Sequence, residues 1–115
     1  MATIAALDIH KLEINVDILY TFGSPRVGNK EFSEYFHQIF PEAVRVVHNK
    51  DIVPHNPSRI LGYWHVYTEV WLDEHSSVKK ICTTSADEDD CSYSALICSV
   101  SDHLDYYNIN TGCDG

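Results

Sequence analysis

Apolar residues recur along the chain in helical and strand-like rhythms that alternate. Residues 2–12, ATIAALDIHKL, set Ile4, Ala5, Leu7 and Leu12 near helical spacing without glycine or proline, which predicts a helix at the very start with no capping residue before it. Ile18, Leu19, Tyr20 and Phe22 follow as a mostly apolar strand, of the kind buried on both faces of a parallel sheet. The corner Gly-Ser-Pro-Arg-Val-Gly ends it. Asn29 can then cap a helix over KEFSEYFHQIF, where Phe32, Tyr35, Phe36, Ile39 and Phe40 form one stripe and Pro41 stops it. AVRVVHN, with Val44, Val46 and Val47, predicts a second short strand. Strand, helix and strand within about 30 residues predict a right-handed crossover between parallel strands.

After Asp51 the rhythm changes. DIVPHNPSRI is a proline-bearing loop, and WHVYTEVWL alternates aromatic and β-branched residues like an edge or hairpin strand. VKKICTT can pair with it through a turn at residues 73–77. SADEDD (85–90) is a solvated acidic loop that lacks the glycine and distal glutamate of a calcium-binding loop. There is no internal repeat and no flexible linker, and 115 residues make one domain at most.

Two residues stand out as carriers of chemistry. Asp51 follows the valine-rich strand at its carboxyl end, where open α/β sheets place functional groups, with Pro54 restricting the loop. His103 lies in SVSDHLDYY, where Ser101 or Asp102 can cap a short helix whose terminus would favour a neutral imidazole base. An acid after one strand and a histidine near the end follow the chain order serine, acid, histidine of α/β-hydrolases. The bland alternatives are a turn aspartate and a surface histidine. No serine completes the set: Ser24 sits at a strand end, but Phe22 and Arg26 occupy the positions that G-x-S-x-G gives to glycine. A phosphate loop also fails, since Asn29 follows Gly28 and Lys30 comes one place late. His48, His55 and His65 form no H-E-x-x-H pair, so the reading includes no metal and no cofactor.

Charge and cysteine content change the picture further. Asp and Glu number 17 against 8 Lys and Arg, and the basic residues are scattered apart from Lys79 and Lys80, which argues against nucleic acid as a partner. No apolar run approaches the ~20 residues of a membrane span, and residues 1–15 lack the pattern of a signal peptide. Cys82, Cys91, Cys98 and Cys113 fit no C-x-x-C spacing, which leaves disulfides, with three possible connectivities, or buried thiols; disulfides would require an oxidising compartment.

Four blocks, YTFGSPRVGN, RVVHNKDIVPH, GYWHVYTEVW and SVSDHLDYY, resemble in order and spacing the second half of class 3 lipases, the fungal-type triacylglycerol lipases. The resemblance runs over nearly the whole chain. It implies that residues 1–115 are the C-terminal part of an α/β-hydrolase fold, a mostly parallel sheet with a following hairpin. By the same resemblance Asp51 is the acid and His103 the base of a Ser-Asp-His triad, and Pro25, Val53 and Leu104 are acyl-groove positions. Cys82 and Cys91 resemble the family's short-loop disulfide. Cys113 resembles a C-terminal cysteine whose family partner lies near the N-terminus, which would leave it free or paired with Cys98. MATIAALDIHKL resembles the helix after the nucleophile elbow, so the serine, the lid and part of the oxyanion hole are expected before Met1. Asn56 and Tyr67 depart from the apolar and small residues usual in the family. The implied function is hydrolysis of triacylglycerol or another lipid ester, with transient contact at a lipid interface and a secreted or lumenal parent. Residues 1–115 alone are expected to be inactive. The alternative is an inactive remnant that binds lipid or protein.

Overall fold

The computed structural model describes residues 1–84 and 89–112. Helix α1 spans Ala2–Lys11, strand β1 Tyr20–Phe22, helix α2 Lys30–Ile39, β2 Val44–His48, β3 Glu69–Leu72 and β4 Val78–Cys82, followed by a small hairpin of β5 (Asp105–Tyr106) and β6 (Ile109–Asn110). The main sheet has the order β1-β2-β3-β4. Its first three strands are parallel and β4 runs antiparallel to β3, giving the expected α/β layout with a following hairpin.

Local chemistry accounts for the elements. Asn29 accepts a hydrogen bond from Phe32 N at 2.9 Å, satisfying one of the free donors at the start of α2. Phe36 and Phe40 on that helix pack with Ala6 and Leu7 of α1 and with Ala43 and Val66. Tyr35, placed by spacing in the same stripe, is instead half exposed. The β3–β4 turn is held by Asp73, whose carboxylate accepts from the backbone N–H groups of His75 and Ser77, each at 2.9 Å. These two donors, Ser77 first, hold the Asp73 carboxyl below its usual range.

The sheet carries different contents on its two faces. Val46 and Leu72 meet Tyr106 on one, while Val47, Trp71 and the Cys82–Cys91 disulfide cluster on the other. Arg45 and Glu69 lie opposite each other on β2 and β3, both 3% exposed, with the guanidinium 2.6 Å from the carboxylate. The second Glu69 oxygen accepts from Ser92 N at 2.9 Å, which ties the segment after the disulfide to the sheet.

Two expectations change. β1 is not buried on both faces: Tyr20 and Phe22 are 53% and 51% exposed, because β2 is its only strand neighbour among the described residues. Only Glu69–Leu72 of WHVYTEVWL is regular strand, and it is interior to the sheet, between β2 and β4. Cys98 carries a free thiol, while Cys113 and residues 85–88 of the acidic loop lie outside the described residues. No described helix is long and apolar enough to cross a membrane.

Candidate active site

The connection from β2 to β3 does most to build the site. Parallel neighbours need a long crossover, and residues 49–68 provide it without an α-helix, using two short 3-10 turns at Val53–His55 and Arg59–Leu61. Such a loop needs external anchors. Arg26, 3% exposed, donates from Nη1 to the carbonyls of His55 at 2.7 Å and Pro57 at 3.0 Å, and its backbone N–H donates to Asn56 O at 2.9 Å. From inside, His65 Nε2 donates to Pro54 O at 2.7 Å. Burial, helped by the positive charges of Arg45 and Arg26, holds His65 well below its ordinary pKa, so this imidazole is a neutral strut.

Asp51 sits at the start of this loop, fully buried. Its Oδ1 accepts from Val53 N at 2.8 Å. Its Oδ2 lies 2.9 Å from His103 Nδ1 and accepts the Tyr106 hydroxyl proton at 2.6 Å. Three donors thus satisfy a carboxylate that burial alone would penalise heavily. Because the carboxylate accepts, the proton belongs on His103 Nδ1, leaving Nε2 as the basic nitrogen. Burial, reinforced by the hydrogen bond to Asp51 and its charge, pushes the Tyr106 phenol far above its ordinary value, so Tyr106 is a permanent donor here.

A strand-like pairing brings the distant histidine to the acid. Ser99 bridges Asp51 in parallel fashion, with Ser99 N to Lys50 O at 2.7 Å and Ile52 N to Ser99 O at 3.2 Å. His103 closes a single 3-10 turn, Ser101–His103. That turn is too short to act as a helix dipole, so Asp51 rather than a helix terminus sets the tautomer. Neither Ser101 nor Asp102 caps it; Ser99 Oγ accepts from Asp102 N at 3.2 Å instead.

His103, one-third exposed, opens on a pocket of about 460 Å³ also lined by Met1, Ala2, residues 20–25 and Val53. Pro25 and Val53 therefore share the histidine's pocket. Leu104 lines a separate pocket with Ser101, Asp105, Asn108 and Asn110. The Ser24 hydroxyl also reaches the first pocket, but it donates to the Pro25 carbonyl at 3.3 Å. Among the described residues, no three His, Cys, Asp or Glu side chains converge to hold a metal.

Two site residues were invisible to sequence reasoning. Tyr106 lies in SVSDHLDYY, where its position three residues after His103 is the available signal. Gly23 read as a turn glycine, yet an added Cβ would lie 2.7 Å from Asp51 Oδ2 and 2.8 Å from His103 Nδ1.

Known proteins share sequence and fold with this chain. Residues 1–61 match the family pattern described as lipase (class 3). A lipase of Rhizomucor miehei is 38% identical over 96% of this chain, which spans 32% of that relative. A secreted mono- and diacylglycerol lipase of Fusarium solani is 44% identical over 64% of the chain and 22% of its own length. Among solved structures, a triacylglycerol lipase whose catalytic centre is formed by a serine protease triad superposes with a TM-score of 0.86 at 38% identity, covering 96% of this chain and 44% of that one. The chain thus spans about a third of the length of its full-length lipase relative from Rhizomucor. With a partial α/β-hydrolase sheet, a buried acid joined to a histidine, and this likeness over nearly its whole length, the chain belongs to the class 3 lipase family.

Proposed function

We propose that residues 1–115 are the C-terminal part of a lipid ester hydrolase and supply the acid and base of its Ser-Asp-His triad. The observation that carries this reading is the contact of a fully buried Asp51 with His103 Nδ1 at 2.9 Å beside an open pocket. Asp51 fixes the tautomer and stabilises the imidazolium; Nε2 takes the nucleophile's proton and later returns it to the leaving alcohol. Water then attacks the acyl-enzyme with the same base assisting. Pro25 and Val53 would contact the acyl chain, whereas Leu104, which lines a separate pocket, would not share that stretch of groove.

The nucleophile is proposed to precede Met1. Met1 and Ala2 line the same pocket as His103, which supports a G-x-S-x-G elbow ahead of α1 with its serine about five residues before Met1. Serine loss costs many thousand-fold in rate, and each missing oxyanion donor costs about 3 kcal/mol. Residues 1–115 alone should therefore not hydrolyse a short-chain nitrophenyl ester above background. The same residues joined to an upstream segment carrying G-x-S-x-G should do so, with His103→Ala and Asp51→Ala abolishing turnover. Hydrolysis by residues 1–115 alone that His103→Ala removes would instead make Ser24 the nucleophile.

The buried Cys82–Cys91 disulfide and the likeness to a secreted relative support an oxidising, extracellular or lumenal setting and triacylglycerol or a related lipid ester as substrate. A second reading, an inactive lipid- or protein-binding remnant, is favoured by the open apolar edge at Tyr20 and Phe22. An upstream segment without the elbow motif would select it.

A further inference from the structure

Asp102 does more than precede the histidine. Its Oδ2 accepts from Asn49 Nδ2 at 3.0 Å and from Lys50 N at 3.1 Å, both in the turn that leads into Asp51. Its carbonyl accepts from His48 Nδ1 at 3.3 Å, at the end of β2. One residue therefore joins the histidine turn to the acid turn on both its side-chain and backbone sides, next in sequence to the ring being placed. Asn49, in turn, is held in the left-handed region at φ +40° with its carbonyl accepting from Trp71 Nε1 at 2.7 Å, so the platform is anchored to β3.

We propose that Asp102 is a positioning residue, whose carboxylate clips the His103 turn onto the Asn49-Lys50 backbone and so fixes the imidazole at hydrogen-bonding distance from Asp51. This rests on reading Asp51 and His103 as an acid–base pair. The 3-10 turn at Ser101–His103 makes too few hydrogen bonds to hold a ring by itself, and His103 is one-third exposed, so packing does not lock it either. Two donors converging on one carboxylate oxygen supply the missing constraint. Both are neutral N–H groups, so an amide oxygen can replace the carboxylate; the charge itself is dispensable.

The His48–Asp102 carbonyl contact and the Ser99 pairing survive substitution of the side chain, so Asp102→Ala retains the turn while loosening it. The test is long-range 15N–1H NMR of the His103 imidazole in residues 1–115, with the Trp71 indole resonance reporting the fold. In the parent chain the ring should be held as the Nδ1–H tautomer, and Asp51→Asn should change that signature. Asp102→Ala should convert it to a tautomer mixture with the Trp71 resonance unmoved, Asn49→Ala should do so in part, and Asp102→Asn should restore the parent signature. A parent-like His103 in Asp102→Ala, or equal loss in Asp102→Asn and Asp102→Ala, would overturn the clip while leaving the pair intact. If the parent signature ignores Asp51→Asn, the pair itself fails and the clip falls with it.

Discussion

Gly23 ends β1 at φ +60°, donates its N–H to Val46 O at 2.9 Å, and faces the Asp51–His103 contact so closely that an alanine methyl would overlap both residues. Two penalties combine in Gly23→Ala: the left-handed backbone, about 1 kcal/mol, and overlap with atoms that cannot move without breaking a buried hydrogen bond, typically about 1–3 kcal/mol. The expected outcome is a loss of about 2–4 kcal/mol in urea unfolding, with His103 displaced from Asp51 in the NMR spectrum. An unchanged midpoint and unchanged ring signals would mean that the close approach is not real. Asp51 and His103 were legible as candidates because strand ends and chain order point to such positions. Gly23 and Tyr106 were not, since their roles depend on contacts far apart in sequence: Tyr106 donates to Asp51 across 55 residues, and the Gly23 contact arises only when β1 pairs with β2.

Strands β2 and β3 show the same limit for larger pieces. The sequence pattern of AVRVVHN credits its valines, yet Arg45 between them is 3% exposed, because Glu69 meets it from a strand 24 residues later. A buried pair is marginal as a source of stability but severe when halved, since one charge is then left without compensation. Glu69→Ala should cost about 3–5 kcal/mol, with the Ser92 N–H also losing its acceptor. Replacing both residues, Arg45→Met with Glu69→Leu, should recover most of that loss, a non-additivity that urea unfolding of the three variants measures directly. If the single and double replacements cost the same, the pair is not acting as a unit. Helix α2 was readable from periodicity because it packs mainly along one stripe; α1 forms where expected, but of Ile4, Ala5, Leu7 and Leu12 only Leu7 is buried, and its covered face is Thr3, Ala6 and Leu7. β1 misled for the converse reason: its apolar run reads as a strand covered on both faces, while among the described residues only β2 lies beside it. WHVYTEVWL misled because alternation describes the exposure of a strand, whereas the position of β3 between β2 and β4 follows from a long loop crossover that has no local signal.

Acid sensitivity integrates these local arrangements, and two titrating groups assign it to separate windows. His65 is buried and neutral, bonded through Nε2 to the Pro54 carbonyl of the Asp51 loop, and its native pKa lies well below the ordinary 6.5. Below pH 6.5 the unfolded chain therefore binds a proton that the native state refuses, so stability falls as pH falls; above that value both states are neutral and this residue adds no pH dependence. The slope is at most about 1.4 kcal/mol per pH unit for one group. Asp73 works in a lower window. Its carboxyl is held below its ordinary value of 3.8 by Ser77 and His75 N–H groups, so its contribution is present above that value and is lost as pH falls through the native one. Urea unfolding at pH 8, 6.5, 5.5 and 5 should thus show a plateau and then a decline that belongs to His65. Gln can donate to the same carbonyl but cannot be protonated, so His65→Gln should flatten the curve between pH 6.5 and 5 and leave any decline below pH 4 unchanged. A His65→Gln chain with the parent slope over pH 6.5 to 5 would place the acid-sensitive group elsewhere and remove the neutral strut from the account of how the Asp51 loop is held.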